Sequence, residues 1–556
     1  MKSHALISVI CGVLLTRSLS AQVGAPVENP GERFRRDQLR IQREQNLDKP
    51  PETLDLGQPT QESSVELPED EPGFLINRVE LEGNTHLDAE AIREVVAPYE
   101  GKEINRAGIN KMITALTNAY IDRGWATTRV YIQPQNIAQT KLLKLRVIEG
   151  RIESIHINAN SWRDRLRARM AFPDWTGEGL NMFALEQGLD QLNHAPSARA
   201  QLQLQPGEKE GGSIVDVKNE AAFPWRANAS YDNLGQGSTG RDRVRGTTEV
   251  DNLLALNETL SAYYLGARNL NAVGASLHVP CQWWNLHAEA SYSEYNSILS
   301  PDAELFGTFW NLSGGVGQVF YRDREHKFSG DVSLAVNEAG RFINDVLLQP
   351  QRLTTLKIGV TEVWRPDNGV WQVDVNYRRG LDALGASVDP QGLPDDAPHA
   401  QFNRWEMNVY RYQPLTSWLA FRTSVAGQYS LEGLYGSEQI IMGDFYTVRG
   451  YRDSATAGDD GVFARNELLF SFPLETKNSF ANQVIRQLQP YAFFDAGWCE
   501  FKATDTDQYL SGTGIGLRLP AERFNFDVSY SIPVSHSAAV PEIDGLFYAT
   551  ATVKFF

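Results

Sequence analysis

Two short motifs near the C-terminus each combine one charged residue with glycine and aromatic residues. They are VRGY, formed by Val448, Arg449, Gly450 and Tyr451, and FxDxG, formed by Phe493, Asp495 and Gly497. The planar guanidinium fork of arginine can bind one carboxylate through two parallel hydrogen bonds. Ion pairing between Arg449 and Asp495 is therefore the chemistry that these residue types indicate.

Strand alternation indicates how Asp495 would be presented. Successive side chains of a strand point to opposite faces, so Phe493, Asp495 and Gly497 share one face, and Phe494 and Trp498 share the other. The second face suits lipid, in which a charge is costly. If this strand belongs to a membrane barrel, we expect Asp495 to point into the lumen.

Strands of this kind fill the chain after Phe223, where apolar and polar residues alternate in segments of about ten residues, as in membrane barrels. One example is the series Phe524, Phe526, Val528, Tyr530 and Ile532, which alternates with Asn525, Asp527 and Ser529. We count sixteen such segments, and an even number suits a bacterial barrel. The strands of a large soluble β-sandwich also alternate between apolar and polar residues. The aromatic strand ends instead favour a 16-stranded antiparallel transmembrane β-barrel, which would span residues 223–556.

Residues 431–463, which we term the in-folding loop, show no strand pattern and carry Arg449 near their centre. The chain between Arg449 and either end of the loop extends to roughly 55 to 60 Å, whereas the apolar band of a barrel is about 25 Å tall. We therefore expect the loop to fold back down the lumen and Arg449 to form a salt bridge with Asp495. The alternative is that the two are unrelated polar residues, one in a surface turn and one among many lumen charges.

Between residues 73 and 222 the patterns indicate an α+β module of order β-α-α-β-β that is used twice. The first copy, residues 73–149, contains apolar residues at helical spacing: Ile109, Met112, Ile113, Leu116 and Tyr120. The second copy occupies residues 150–222. Each copy predicts a small domain in front of the barrel.

The N-terminal segments have no globular pattern. Residues 1–21 have the form of a secretory signal peptide, with Lys2 before a mostly apolar stretch. Residues 31–47 carry several arginines among helix formers but no broad apolar stripe, which leaves either a solvated arm or a plug helix in a wet, charged cavity. Residues 48–72 are rich in proline and acidic residues and form a linker by composition.

Composition and motifs exclude several functions. The formal net charge of -17 argues against nucleic acid as a partner. We find no nucleophile elbow, no zinc-binding HExxH pair and no P-loop, so we expect no catalytic residue, no metal and no cofactor. In the glycine-rich run from Gly512 to Gly516, small residues ease packing more often than they bind phosphate. Cys281 and Cys499 fall near opposite ends of the barrel, too far apart for a disulfide.

The order of these parts resembles the two-partner secretion transporters of the outer membrane, the TpsB family, which export haemolysins and filamentous adhesins. The resemblance covers essentially the whole chain after the signal peptide, and VRGY and FxDxG are the two barrel signatures of that family. Further matches are YIDRGW (120–125), PQ (134–135) and VIEG (147–150) in the first module, and LN (180–181), LEQ (185–187), LN (192–193), PG (206–207) and GS (212–213) in the second.

This resemblance implies that the two modules are POTRA domains, which lie in the periplasm and dock the exported partner. It implies a secreted TpsA-type exoprotein as that partner, contact with outer-membrane lipid, and a barrel assembly machinery for insertion. The expected location is the outer membrane of a Gram-negative bacterium. Transport would use no ATP, since the energy would come from folding of the partner outside.

Two other classes of transporter share parts of this organisation. An insertase that assembles other barrels has POTRA modules and the same loop motif, but usually more modules and no N-terminal helix. A passive porin would use the helix only to occlude its pore. The architecture favours a secretion transporter over both an insertase and a porin. No motif in the sequence supports an enzymatic function.

Overall fold

The computed structural model describes residues 73–157, 161–173, 175–220, 222–366, 368–453, 455–474, 486–540 and 542–555, together with Gly31, Arg33 and Arg36. The predicted signal peptide at 1–21 and the predicted linker at 48–72 lie outside the described residues. Of the predicted helix at 31–47, three residues are described, and all three are helical.

The first module contains more elements than its sequence pattern predicts. They are β1 (Phe74–Ile76), β2 (Arg78–Glu82), α1 (Ala89–Val96), β3 (Lys102–Ile104), α2 (Arg106–Asp122), β4 (Arg129–Ile132), α3 (Ile137–Thr140) and β5 (Leu142–Ile148). Strand β5 pairs in parallel with β2 and antiparallel with β4, while β1 and β3 form a separate two-stranded sheet. The predicted β-α-α-β-β order is thus correct for the main sheet, and β1, β3 and α3 are additions.

Capping and packing explain the helices of this module. The side chains of Asp88 and Asn105 accept hydrogen bonds from Ala91 N and Gly108 N, and so cap the N-termini of α1 and α2. The predicted apolar stripe of α2 lies in the core with β5. Its core residues are Ile109, Met112, Leu116 and Tyr120, and they cluster with Leu143, Leu145 and Val147.

The second module has the predicted order. Its elements are β6 (Arg151–Ile157), α4 (Trp162–Ala171), α5 (Met182–Asn193), β7 (Ala200–Pro206) and β8 (Gly212–Asn219). The sheet order is β6-β8-β7, which leaves β6 and β7 at its edges. Two hydrogen bonds join the modules: Met182 N donates to Gly124 O at 2.8 Å, and Nδ2 of Asn181 donates to Arg123 O at 3.2 Å.

A closed antiparallel barrel follows, in which sixteen long strands confirm the predicted count within the described residues. The strands from β9 onward are, in chain order, Trp225–Asp232 (β9), Arg243–Asp251 (β10), Thr259–Ala267 (β11), Leu270–Cys281 (β12), Trp284–Ser300 (β13), Ala303–Arg322 (β14), His326–Ile343 (β15), Val346–Leu347 (β16), Gln351–Trp364 (β17), Val370–Leu381 (β18), Pro398–His399 (β19), Asn403–Pro414 (β20), Leu419–Ser430 (β21), Gly433–Leu434 (β22), Ile440–Met442 (β23), Thr456–Gly458 (β24), Asp460–Phe470 (β25), Phe472–Pro473 (β26), Gln487–Phe501 (β27), Thr506–Pro520 (β28), Phe524–His536 (β29) and Leu546–Lys554 (β30). Strand β30 pairs with β9 and closes the barrel.

The outward face of these strands is apolar and exposed, as a membrane barrel requires. Phe494, Trp498, Phe526 and Phe547 are among its exposed side chains. Strands β13, β14 and β15 have 17, 20 and 18 residues, well beyond the predicted segments of about ten. They continue their antiparallel pairing past the length that a membrane needs.

The second module is fastened to the barrel. Gln187 and Gln191 of α5 donate to the carbonyl oxygen of Gln282, at 3.1 and 2.5 Å, in the turn between β12 and β13. Arg322 of β14 forms an ion pair with Asp190 of α5. These contacts assign the β12–β13 and β14–β15 turns to the end of the barrel that faces the modules.

Among the described residues, no α-helix combines the length and the apolar character that crossing a membrane would require. Cys281 and Cys499 are both free.

Candidate functional site in the barrel lumen

The in-folding loop has more secondary structure than predicted. It contains β22 and an antiparallel hairpin of β23 and β24, and barrel strand β25 already begins at Asp460. The predicted loop of 431–463 therefore ends at Asp459, because its last four residues pair with β21 and β27. Val448, Arg449 and Tyr451 in its centre are fully buried.

Arg449 and Asp495 lie together in the geometry of a bidentate pair. The Nε of Arg449 is 2.6 Å from one carboxylate oxygen of Asp495, and Nη2 is 2.9 Å from the other. The backbone N–H of Arg449 also donates to Asp495, at 3.2 Å. Both side chains are fully enclosed, so water compensates neither charge and protein groups must do so.

Glu467 completes the surroundings of Arg449, and the sequence did not single it out. Nη1 of Arg449 donates to Glu467 at 2.6 Å, and Arg518 binds the same carboxylate through two bonds of 2.8 and 2.9 Å. Arg518 continues to Asp527 at 2.9 Å. We term these five residues, Arg449, Glu467, Asp495, Arg518 and Asp527, the lumen charge network. The parity of β25 places Glu467 on the inward face, a signal that could have revealed it.

Electrostatics favour the charged form of Arg449. Burial alone would lower the pKa of its guanidinium, but Asp495 and Glu467 outweigh that cost and hold the pKa above its ordinary value. Phe493 adds a face-on contact, with the guanidinium carbon 3.7 Å from its ring centroid. Arg449 is therefore a permanent cation, and its binding site fits the planar shape of a guanidinium group.

The glycines of both motifs provide the space in which the loop can bind against the barrel wall. Gly450 has a φ of +107°, a conformation that favours glycine, and its backbone lies against Ile532 and Pro533. A β-carbon on Gly497 would lie 2.5 Å from the sulfur of Met442 and 3.1 Å from Val448. Each glycine thus lets the loop and the wall approach more closely than a side chain would allow.

The glycine-rich run of β28 has the same function in packing. A β-carbon on Gly512 would overlap the carbonyl oxygen of Arg449. On Gly514 and Gly516, the added carbon would meet the rings of Phe493 and Tyr491. These three glycines face the loop and the aromatic residues that support it.

Tyr451 fixes the loop on its other side. Its hydroxyl lies 2.9 Å from the carbonyl oxygens of both Ser511 and Ser535, and its own carbonyl accepts a bond from the Tyr548 hydroxyl at 2.5 Å. Burial raises the pKa of Tyr451 to about 12, so the hydroxyl remains a donor. The VRGY residues therefore contact β25, β27, β28, β29 and β30.

Asp444 joins the loop to the N-terminal segment. One oxygen of its carboxylate accepts from the backbone N–H groups of Tyr446 and Thr447, at 2.6 and 2.8 Å, and the other lies 2.6 Å from Nη2 of Arg33. Arg36 donates to Gln439 O at 3.5 Å. The sequence showed the arginines of 31–47 but gave no sign of these partners.

This arrangement holds a segment of the chain inside a barrel. The charged groups of the lumen charge network are paired with one another. Within the ranges that the structure describes, no group of three or more histidine, cysteine, aspartate or glutamate residues could hold a metal ion.

Comparison with protein families matches residues 211–519 to the family described as haemolysin secretion/activation protein ShlB/FhaC/HecB. Residues 74–150 match the ShlB-type POTRA domain, and residues 151–206 match a POTRA domain. The two modules and most of the barrel are thus covered.

Individual proteins give the same picture. The chain is 29% identical over 485 residues to the outer membrane transporter CdiB of Dickeya dadantii, covering 84% of each chain. It is 30% identical over 394 residues to the hemolysin transporter protein ShlB of Serratia marcescens, covering 67% of this chain and 68% of that protein. The structure of CdiB from Escherichia coli aligns with a TM-score of 0.83 at 24% identity, over 95% of this chain and 99% of that one, and so shares the fold.

Proposed function

This chain belongs to the haemolysin secretion/activation protein family ShlB/FhaC/HecB, and from that membership we propose that it is an outer-membrane pore that exports a secreted partner protein. The barrel lies in the outer membrane of a Gram-negative bacterium, with the POTRA modules in the periplasm. The partner is an unfolded exoprotein of the TpsA type, of the adhesin or haemolysin class, which crosses without ATP. The observation that carries this function is a closed barrel whose lumen holds a loop through a buried charge network.

Recognition of the partner is assigned to the edges of the POTRA sheets. Strand β4 is an edge of the first sheet and exposes Tyr131 and Ile132, which are 50% and 44% accessible. An extended peptide can pair with such an edge through backbone bonds while exposed side chains select its residues. An unfolded chain offers that backbone along its whole length.

The lumen charge network is the proposed lock of the in-folding loop. Removal of one partner of a buried ion pair leaves an uncompensated charge and costs about 3 to 5 kcal/mol. We therefore expect Arg449→Ala to abolish or strongly reduce export while the barrel still assembles. Arg379→Ala, which removes an exposed arginine from the outer face of β18, is the matched control. Normal secretion by the Arg449 variant would contradict the lock.

The N-terminal segment is the proposed plug. Support comes from Arg33, whose ion pair with Asp444 connects residues 31–47 to the loop. The family resemblance also implies that the barrel assembly machinery inserts the protein and that outer-membrane lipid surrounds it.

Co-expression with a candidate exoprotein tests the function as a whole. Export should require this chain, and deletion of its gene should leave the levels of unrelated outer-membrane proteins unchanged. Depletion of several such proteins with undiminished export would instead identify an insertase. The neighbouring gene is the natural source of the candidate, if it encodes a large repetitive secreted protein.

A further inference from the structure

An arginine on the outer face of the barrel lies close to its periplasmic end. Arg411 lies in β20, three residues before the strand ends at Pro414, and alternates in phase with Trp405 and Met407, each 49% accessible on the outer surface. Its cross-strand partner is Trp371, beside the β17–β18 turn. That turn lies at the same end of the barrel as the β14–β15 turn, which binds the second POTRA module. Arg411 therefore faces lipid near the periplasmic end.

A row of flat groups leads to Arg411 across four neighbouring strands. The guanidinium carbon of Arg411 lies 4.4 Å from the ring centroid of Trp371. Trp371 stacks on Trp364 at 6.5 Å with an interplanar angle of 18°, and Trp364 stacks on His326 at 5.9 Å and 7°. Aromatic belts of this kind mark the level of lipid headgroups.

Arg411 has no carboxylate within 4.0 Å in the part of the chain that the structure describes. Its Nη2 donates to Gln413 at 2.8 Å, which gives a neutral acceptor. The inward arginines Arg226, Arg322 and Arg449, by contrast, each bind acidic side chains. A lipid-facing arginine is costly at the bilayer midplane and tolerated near the interface, where its charge can pair with an anion at the headgroup level.

We propose that Arg411 binds the phosphate of a phospholipid in the periplasmic leaflet. The Trp371 ring supports one face of the guanidinium, and Gln413 fixes its orientation in the plane. A guanidinium fork fits two oxygens of a phosphodiester, while Trp371 and Trp364 offer apolar surface to the glycerol backbone and the start of the acyl chains. A phospholipid with net negative charge, such as phosphatidylglycerol, is the ligand of this site.

Native mass spectrometry of the full chain, titrated in detergent with phosphatidylglycerol, tests the site. Arg411→Gln should lower the affinity of the tightest bound lipid at least fivefold. Arg106→Gln, which removes an exposed arginine at the start of α2 in the first module, should leave it unchanged. Heat-modifiable electrophoretic migration verifies that the barrel is folded in both variants.

A second variant separates the platform from the charge. Trp371→Leu keeps the arginine but removes the ring beneath it, and should also weaken the tightest lipid by a factor of several. Equal lipid affinity in Arg411→Gln and the wild type would overturn the site. Undiminished affinity in Trp371→Leu would overturn the stacked geometry. Neither result bears on export, so failure of this site is distinguishable from failure of the proposed function.

Discussion

At the residue scale, the two motifs describe two sides of one contact. Arg449 of the loop packs on the ring of Phe493 and pairs with the charge of Asp495. Val448 and Met442 occupy the space that Gly497 leaves open. A single substitution on either side should therefore act on the loop more than on the barrel.

Arg449→Lys tests the requirement for a fork. Lysine keeps the charge but cannot form the parallel pair with Asp495 and also reach Glu467. We expect export to fall almost as far as in Arg449→Ala, measured as the amount of exoprotein in the medium at equal barrel levels. Export at the wild-type level would show that charge alone is sufficient.

Gly512→Ala tests the close approach of loop and wall. The added carbon would overlap the carbonyl of Arg449, so the loop should be displaced and its residues should become accessible to protease. Gly246→Ala in β10 is the control, because a β-carbon there has no neighbour within 4 Å. Equal protease resistance in the two variants would argue against this packing.

The sequence could predict the meeting of Arg449 with Asp495 because strand parity and loop length depend on local patterns. Glu467 was missed because a lone inward carboxylate resembles any other lumen charge until the loop is in place. Asp444 was missed for a similar reason. Its contact with Arg33 joins segments that no periodicity relates.

At the element scale, the N-terminal segment and the in-folding loop share the carboxylate of Asp444. The same side chain that caps the turn before VRGY also binds Arg33. A movement of either segment would therefore change the contacts that Asp444 makes with the other segment.

Arg33→Ala should loosen the N-terminal segment. Its loss removes the ion pair with Asp444, so we expect a higher channel conductance in planar bilayers than in the wild type. If the effect operates through this pair, Asp444→Asn should raise the conductance as well, and the double variant should add little. Additive effects of the two substitutions would point to separate contacts.

Prediction of the elements depended on their length. The long periodic segments of α2 and the barrel were recognised, whereas β1 and β3, with three residues each, are too short to show alternation. The sequence does not predict the full length of β13, β14 and β15, because the outer halves of these strands lose the strict apolar alternation that contact with lipid imposes. The β23–β24 hairpin is not predicted either, because its two strands also have only three residues each.

At the scale of the whole molecule, the second POTRA module and the barrel form one fastened unit through α5. Asp190 faces Arg322 and Lys327 of the barrel, at the β14–β15 turn. Although burial would raise the pKa of Asp190, Lys327 and Arg322 hold it below its ordinary value. A depressed carboxyl pKa contributes stability above the unfolded value and loses it as pH falls through the folded value.

We therefore expect the distance between α5 and the barrel to stay constant from neutral pH down to about 5 and to broaden only below about 4, the ordinary range of an aspartate. Spin labels on both parts, after replacement of Cys281 and Cys499, would report it. Asp190→Asn should give the broad distribution already at neutral pH. A change between pH 7 and 5 would assign the junction to another group.

The two glutamines of α5 bind the carbonyl oxygen of Gln282 and not its side chain. A main-chain acceptor is present whichever amino acid occupies that position, so these two bonds do not depend on the Gln282 side chain, which itself donates to the carbonyl oxygen of Arg169 in α4 at 3.4 Å. A residue that accepts the φ of +54° at position 282 should therefore keep both glutamine bonds and lose only the bond to Arg169. For protein engineering, a POTRA module can be transferred to another barrel only if that barrel offers both a turn backbone of this shape and the two cations that bind Asp190.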